Sequence, residues 1–133
     1  MIFVNLPVRN VASATAFYTA LGFEKNPAFS NEVASAMRWS DTISVMLLDH
    51  SFYATFTDKP IADTHAVSAA LLCLSFDSRD SVDAIHAASR QAGGRETRAV
   101  QDQHFMYGGA FEDFDGHTWE TMFMDISNAP ATA

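Results

Sequence analysis

The chain has 133 residues, 48% of them hydrophobic, and a formal net charge of −8 from 8 basic and 16 acidic side chains. This length suits a single domain with a packed core, and the negative charge argues against nucleic acid and anionic membrane surfaces as partners. No apolar run reaches the roughly 18 residues of a membrane span, MIFVNLPVRN lacks the long apolar stretch of a signal peptide, and a cytoplasmic location is the default.

The first half opens with Ile2 to Val8, rich in β-formers, which reads as a strand. Asn10 or Ser13 can cap a helix carrying Val11, Ala14, Phe17, Tyr18 and Leu21 at helical spacing. Gly22 stands where such a helix ends in a left-handed residue. A short strand is expected within Phe23 to Phe29, another over Ala34 to Trp39, a turn at Ser40-Asp41, and a strand over Thr42 to Leu48. The segment from Ser51 to Ser68, with Pro60, reads as a connector.

The second half repeats this order. Ala70 to Phe76 predicts a strand holding Cys73, a lone cysteine read as a small buried thiol. Ser78 caps a helix with Val82, Ile85, Ala88 and Ala92 as its apolar stripe, and Gly93-Gly94 ends it. Strands follow over Arg95 to Ala99, Phe105 to Phe111 and His117 to Met124, the last two joined by a hairpin at Asp115-Gly116 with Phe111 and Trp119 packed across it. The repeat of strand, helix and about three strands predicts a duplicated unit of α+β class. The boundaries are module one at about 1–56, a connector at 57–68, module two at about 69–126, all one domain over 1–126, and a loose tail at 127–133.

FVNLPVRNVASATAFYTALGFE, LSFDSRDSVDAI and FEDFDGHTWE together resemble the glyoxalase, bleomycin-resistance and extradiol-dioxygenase superfamily, the vicinal oxygen chelate fold. NLPV, ISVMLL, QDQHFMYG and DGHTWE resemble a branch of predicted lactoylglutathione-lyase-like proteins. The resemblance implies two paired βαβββ modules, a curved mixed sheet of eight strands with a concave cleft, and often a homodimer. It also maps the four metal-ligand positions of the metalloenzymes onto Phe3, Met46, Leu71 and Glu120. Three of these side chains are apolar, and one carboxylate cannot supply the three or four ligands of a zinc or iron site. No metal and no cofactor is therefore expected. Of the other histidines, His117 lies an odd step from Glu120, His50, His65 and His86 read as loop, connector and helix-surface residues, and His104 in QDQHFMYG is the one placed to approach the cleft, which leaves open whether it rebuilds a metal site.

Alternation puts Thr118, Glu120, Met122 and Met124 on one face of the last strand. Apolar groups on both faces predict that Glu120 is enclosed, and an enclosed carboxylate needs a partner or a proton. Glu120 is thus the candidate acid/base, with Phe3, Met46, Leu71, Met122, Tyr107 and His104 as candidate ligand-cleft residues. Arg38 reads as a solvated charge. Three classes of function remain open: binding or sequestration of a small organic ligand without a metal, a glyoxalase-type lyase or isomerase using Glu120, and a dimeric module whose cleft is incidental.

Overall fold

The computed structural model describes residues 1–130. The chain forms two compact units that part between Val67 and Ser68. Each is a βαβββ module with its own four-stranded mixed sheet, in which the first strand of the module lies beside the last. No helix among the described residues is long and apolar enough to cross a membrane.

In module one, β1 (Ile2–Val8) leads into α1 (Val11–Ala20), then β2 (Glu24–Lys25), β3 (Ala34–Arg38) and β4 (Ile43–Asp49). Asn10 caps α1 by accepting the Ser13 N–H at 2.9 Å, and Gly22 takes the left-handed exit with φ 105°. Such a cap contributes about 1 kcal/mol. β1 runs parallel to β4, and β3 antiparallel to it. The helix covers the face carrying Leu6, Val8, Val45, Leu47 and Met37, all buried. Its own contribution is aromatic. Phe17 and Tyr18 meet edge to face at 5.4 Å, Tyr18 meets Phe23 at 5.2 Å, and Phe23 leans on Trp39 at 4.9 Å. The stretch expected to be pure connector begins with a short helix α2 (His50–Tyr53), capped where Asp49 accepts the Phe52 N–H at 2.7 Å.

Module two repeats the scheme with β5 (Leu71–Phe76), α3 (Arg79–Ala92), β6 (Arg95–Asp102), β7 (Met106–Glu112) and β8 (Thr118–Met124). Ser78 caps α3 through the Ser81 N–H at 3.1 Å, and Gly93 ends it at φ 98°. The β7–β8 hairpin pairs Phe111 with Trp119, as the spacing predicts, and both are buried. Asp113 organises its turn by accepting the N–H groups of Asp115 and His117, each at 2.9 Å. The tail starts with a 3-10 turn over Ile126–Asn128, and residues 131–133 of the expected loose segment lie outside the described residues.

Two expectations are corrected. His86 is not on the helix surface but 2% exposed, because α3 buries Val82, Ile85, His86 and Ser89 rather than a stripe through Ala88 and Ala92. Val82, Ile85, His86 and Ser89 stand at i, i+3, i+4 and i+7, a regular helical stripe, and hydrogen bonding makes a polar ring acceptable inside. Cys73 is exposed, not buried. Along β5 only Leu74 is buried, and Cys73 occupies the opposite, helix-free face.

Candidate functional site

β8 sits inside its sheet between β5 and β7, so its two faces meet different surroundings. Trp119, Thr121 and Phe123 turn toward α3, while Thr118, Glu120, Met122 and Met124 turn to the face without a helix. The register places Cys73 beside Glu120 on one side and Ala110 on the other, and Arg98 of β6 beside Ala110. The alanine between them is short enough for Arg98 to reach across: its Nη2 donates to Glu120 Oε2 at 3.0 Å and to Gly109 O at 3.4 Å. Glu120 is therefore not enclosed by hydrocarbon alone. Its carboxylate has a cationic partner and keeps 29% of its side-chain surface, against 50% for Arg98.

Arg98 was not singled out in the sequence, and β6 shows why. Glu96 and Arg98 are two apart, so simple alternation puts them on one face. Register shifts between Glu96 and Arg98, and again between Arg98 and Gln101, break that count. Glu96 reaches His86 on the helix side while Arg98 reaches Glu120 on the open side. Bulges of this kind re-aim side chains on edge strands. The readable signal is RETR in a strand ending a sheet, facing Ala110 and Glu120, and it requires the register to interpret.

Around the pair lies a hollow of about 170 Å³, walled by Cys73, Gln101, Gln103, Met106, Tyr107 and Met122. Beside it the backbones of β7 and β8 approach closely at a glycine. A Cβ on Gly108 would sit 1.8 Å from the Thr121 carbonyl oxygen, so no side chain can occupy that place. The Cys73 thiol has its pKa pushed up by partial desolvation and by the Glu120 carboxylate, with Arg98 opposing. A neutral thiol is the result, which is a poor nucleophile.

The remaining candidates are distributed as follows. Phe3 and Leu71 are 61% and 58% exposed. Met46 is half-buried on β4 with Asn5, not Phe3, directly beside it. Met122 lines the hollow with Glu120. Tyr107 contributes to its wall, yet its hydroxyl donates to Asp83 of α3 at 2.6 Å, which pushes the phenol pKa up. His104 is exposed at the β6–β7 turn with φ 67°, its N–H on Asp102 and its carbonyl on Arg79 at 3.1 Å. Arg38 is an exposed charge paired with Asp41.

Behind the hollow is a buried polar chain. His86 Nδ1 lies 3.0 Å from Glu96 Oε1, and its Nε2 lies 2.8 Å from Thr121 Oγ1. The carboxylate can only accept, which assigns the ring proton to Nδ1 and leaves Nε2 to accept from the threonine hydroxyl. That hydroxyl in turn accepts the Gly109 N–H at 3.1 Å. Burial pushes the His86 pKa down, against the raising pull of Glu96, so the neutral ring fits the network.

The four mapped ligand positions do not fit a metal ion. Phe3, Met46 and Leu71 offer no strong donor, Glu120 is held by Arg98, and no three His, Cys, Asp or Glu side chains converge among the described residues.

The Glyoxalase/Bleomycin resistance protein/Dioxygenase superfamily model matches residues 2–121. Hypothetical protein SA1046 from S. aureus has a similar fold at 20% identity, with 92% of each chain covered and a TM-score of 0.79. A glyoxalase-related enzyme from Fulvimarina pelagi is similar at 16% identity, over 100% of this chain and 96% of that one, with a TM-score of 0.79. The bleomycin resistance determinant encoded on the transposon Tn5 is similar at 22% identity, over 95% and 98%, with a TM-score of 0.65. No curated protein matches the sequence.

Proposed function

Since the chain belongs to the glyoxalase/bleomycin resistance/dioxygenase superfamily, we propose that it binds a small organic ligand without a metal, on the helix-free face of module two. The observation that carries this reading is the Arg98–Glu120 pair set in a hollow walled by Met106, Met122 and Cys73. Thioether walls with a few convergent polar groups are what a small-molecule site requires. The Tn5 bleomycin resistance determinant shows the same fold in a protein named for resistance to a small molecule. Amide and arginine side-chain NMR signals should shift on titration with flat organic compounds, with EDTA present and with EDTA absent. Shifts that require an added divalent ion would overturn the reading.

A second reading is a glyoxalase-type lyase or isomerase in which Glu120 moves a proton. It is favoured by Glu120 lining the hollow while only its Oε2 is bonded among the described residues. Loss of turnover in Glu120→Gln with retained binding distinguishes it from pure binding. The chain is further proposed to act as a homodimer, because Phe3 and Leu71 leave large apolar side chains uncovered. Light scattering at high micromolar concentration should give about twice the 14.6 kDa chain mass, and a monomer mass would refute it. A cytoplasmic setting fits a single exposed thiol.

A further inference from the structure

We propose that the hollow selects neutral ligands bearing a lactam or imide edge, in which N–H and C=O stand side by side. This inference rests on the binding reading above and specifies its ligand class. Among the described residues Arg98 spends only Nη2 on protein acceptors, on Glu120 and on Gly109, so its Nη1 and Nε hydrogens remain to donate. Glu120 uses Oε2 for Arg98 and keeps Oε1 to accept. The pair thus presents a donor beside an acceptor with 3.0 Å between the two heavy atoms that join them.

Charge then decides among ligands. The Cys73 thiol is held neutral, so Arg98 and Glu120 bring the charge of the hollow's lining to zero. A carboxylate ligand meets Arg98 but is pushed by Glu120, and an ammonium meets Glu120 but is pushed by Arg98. Either must split the ion pair, which leaves one partner uncompensated. A cyclic amide donates its N–H to Glu120 and accepts at its C=O from Arg98, and the pair stays intact. Both bonds are charge-assisted, the stronger kind. The ring of such a ligand rests against Met106 and Met122.

The test is an NMR titration of the full chain with phthalimide, N-methylphthalimide, benzoate, benzylammonium and naphthalene. Phthalimide should bind about tenfold or more tightly than its N-methyl derivative, because methylation removes a hydrogen bond to a carboxylate. Phthalimide should also shift the Arg98 side-chain N–H signals. In Glu120→Met, which has no acceptor for the N–H, the ratio should collapse toward one, whereas Arg98→Met should weaken both imides alike. If these variants do not fold, the wild-type ratio alone decides. Equal affinity for the two imides overturns the inference while leaving the binding reading intact, as does tightest binding by benzoate or benzylammonium. No binding by any of the five, naphthalene included, overturns both.

Discussion

Helices α1 and α3 hold equivalent places in their modules, yet they are fastened by different chemistry. α1 docks through Phe17 and Tyr18 onto aromatic and aliphatic neighbours. α3 docks partly through His86, which spans from Glu96 on β6 to Thr121 on β8. The strand residue after Met46 is Leu47, fully buried; the one after Glu120 is Thr121, buried but hydrogen-bonded. An apolar dock tolerates small changes of angle because dispersion has little direction. A hydrogen-bonded dock fixes the helix against two particular strands, and those strands carry Arg98 and Glu120. Module two therefore holds its polar pair on a frame with directional joints, whereas the dock of α1 in module one rests on aromatic packing.

The comparison can be broken at each joint. Phe17→Ala should have the largest effect, about 3–5 kcal/mol in denaturant unfolding, since it empties a buried aromatic site. A loss below about 1 kcal/mol would show that the apolar dock matters less than its burial implies.

Thr121→Val keeps shape but leaves the Gly109 N–H and His86 Nε2 unpartnered in the interior. About 2 kcal/mol should be lost. A neutral outcome would mean that the joint is replaceable by packing alone.

Acid should act on module two through the same ring. The folded His86 binds its proton less readily than the ordinary value of 6.5 allows, so the unfolded chain takes up more protons as pH falls. The contribution is fully present above that value and is lost progressively as pH drops below it. Unfolding midpoints of wild type and His86→Gln measured from pH 7.5 to 5, a range chosen to bracket the imidazole's ordinary value, should show a steeper acid loss in wild type. Parallel profiles would remove His86 from the account.

The smallest effect belongs to the surface of the hollow. Glu120→Gln breaks a pair that is partly solvated on both sides, so stability should change by less than about 1 kcal/mol. Ligand affinity should fall by more than stability does, and equal losses would make Glu120 a structural residue only.

Much of the architecture is readable in the chain because its punctuation is local. Asn10, Ser78, Gly22 and Gly93 act within a few residues, and each does what its type predicts. The site is less readable because it is assembled across four strands. Glu120 can be found by strand parity, but its partner lies two strands away on an edge whose bulges defeat parity. The place of His86 is hidden for a related reason: its burial depends on Thr121 and Glu96 arriving at its two nitrogens, 35 and 10 residues along the chain. The exposure of Cys73 is hidden because an apolar run does not reveal which of its faces a helix covers.

The Thr121 hydroxyl has a second acceptor, the Gly109 carbonyl oxygen at 3.4 Å. With His86 neutral, its hydrogen points at the ring. With His86 protonated, Nε2 becomes a donor, and the hydroxyl must turn its hydrogen to that carbonyl while still receiving the Gly109 N–H. Every heavy atom can stay in place. The charge state of the interior is then written in the direction of a single O–H bond, invisible in the electron density of an ordinary X-ray map and legible to neutrons.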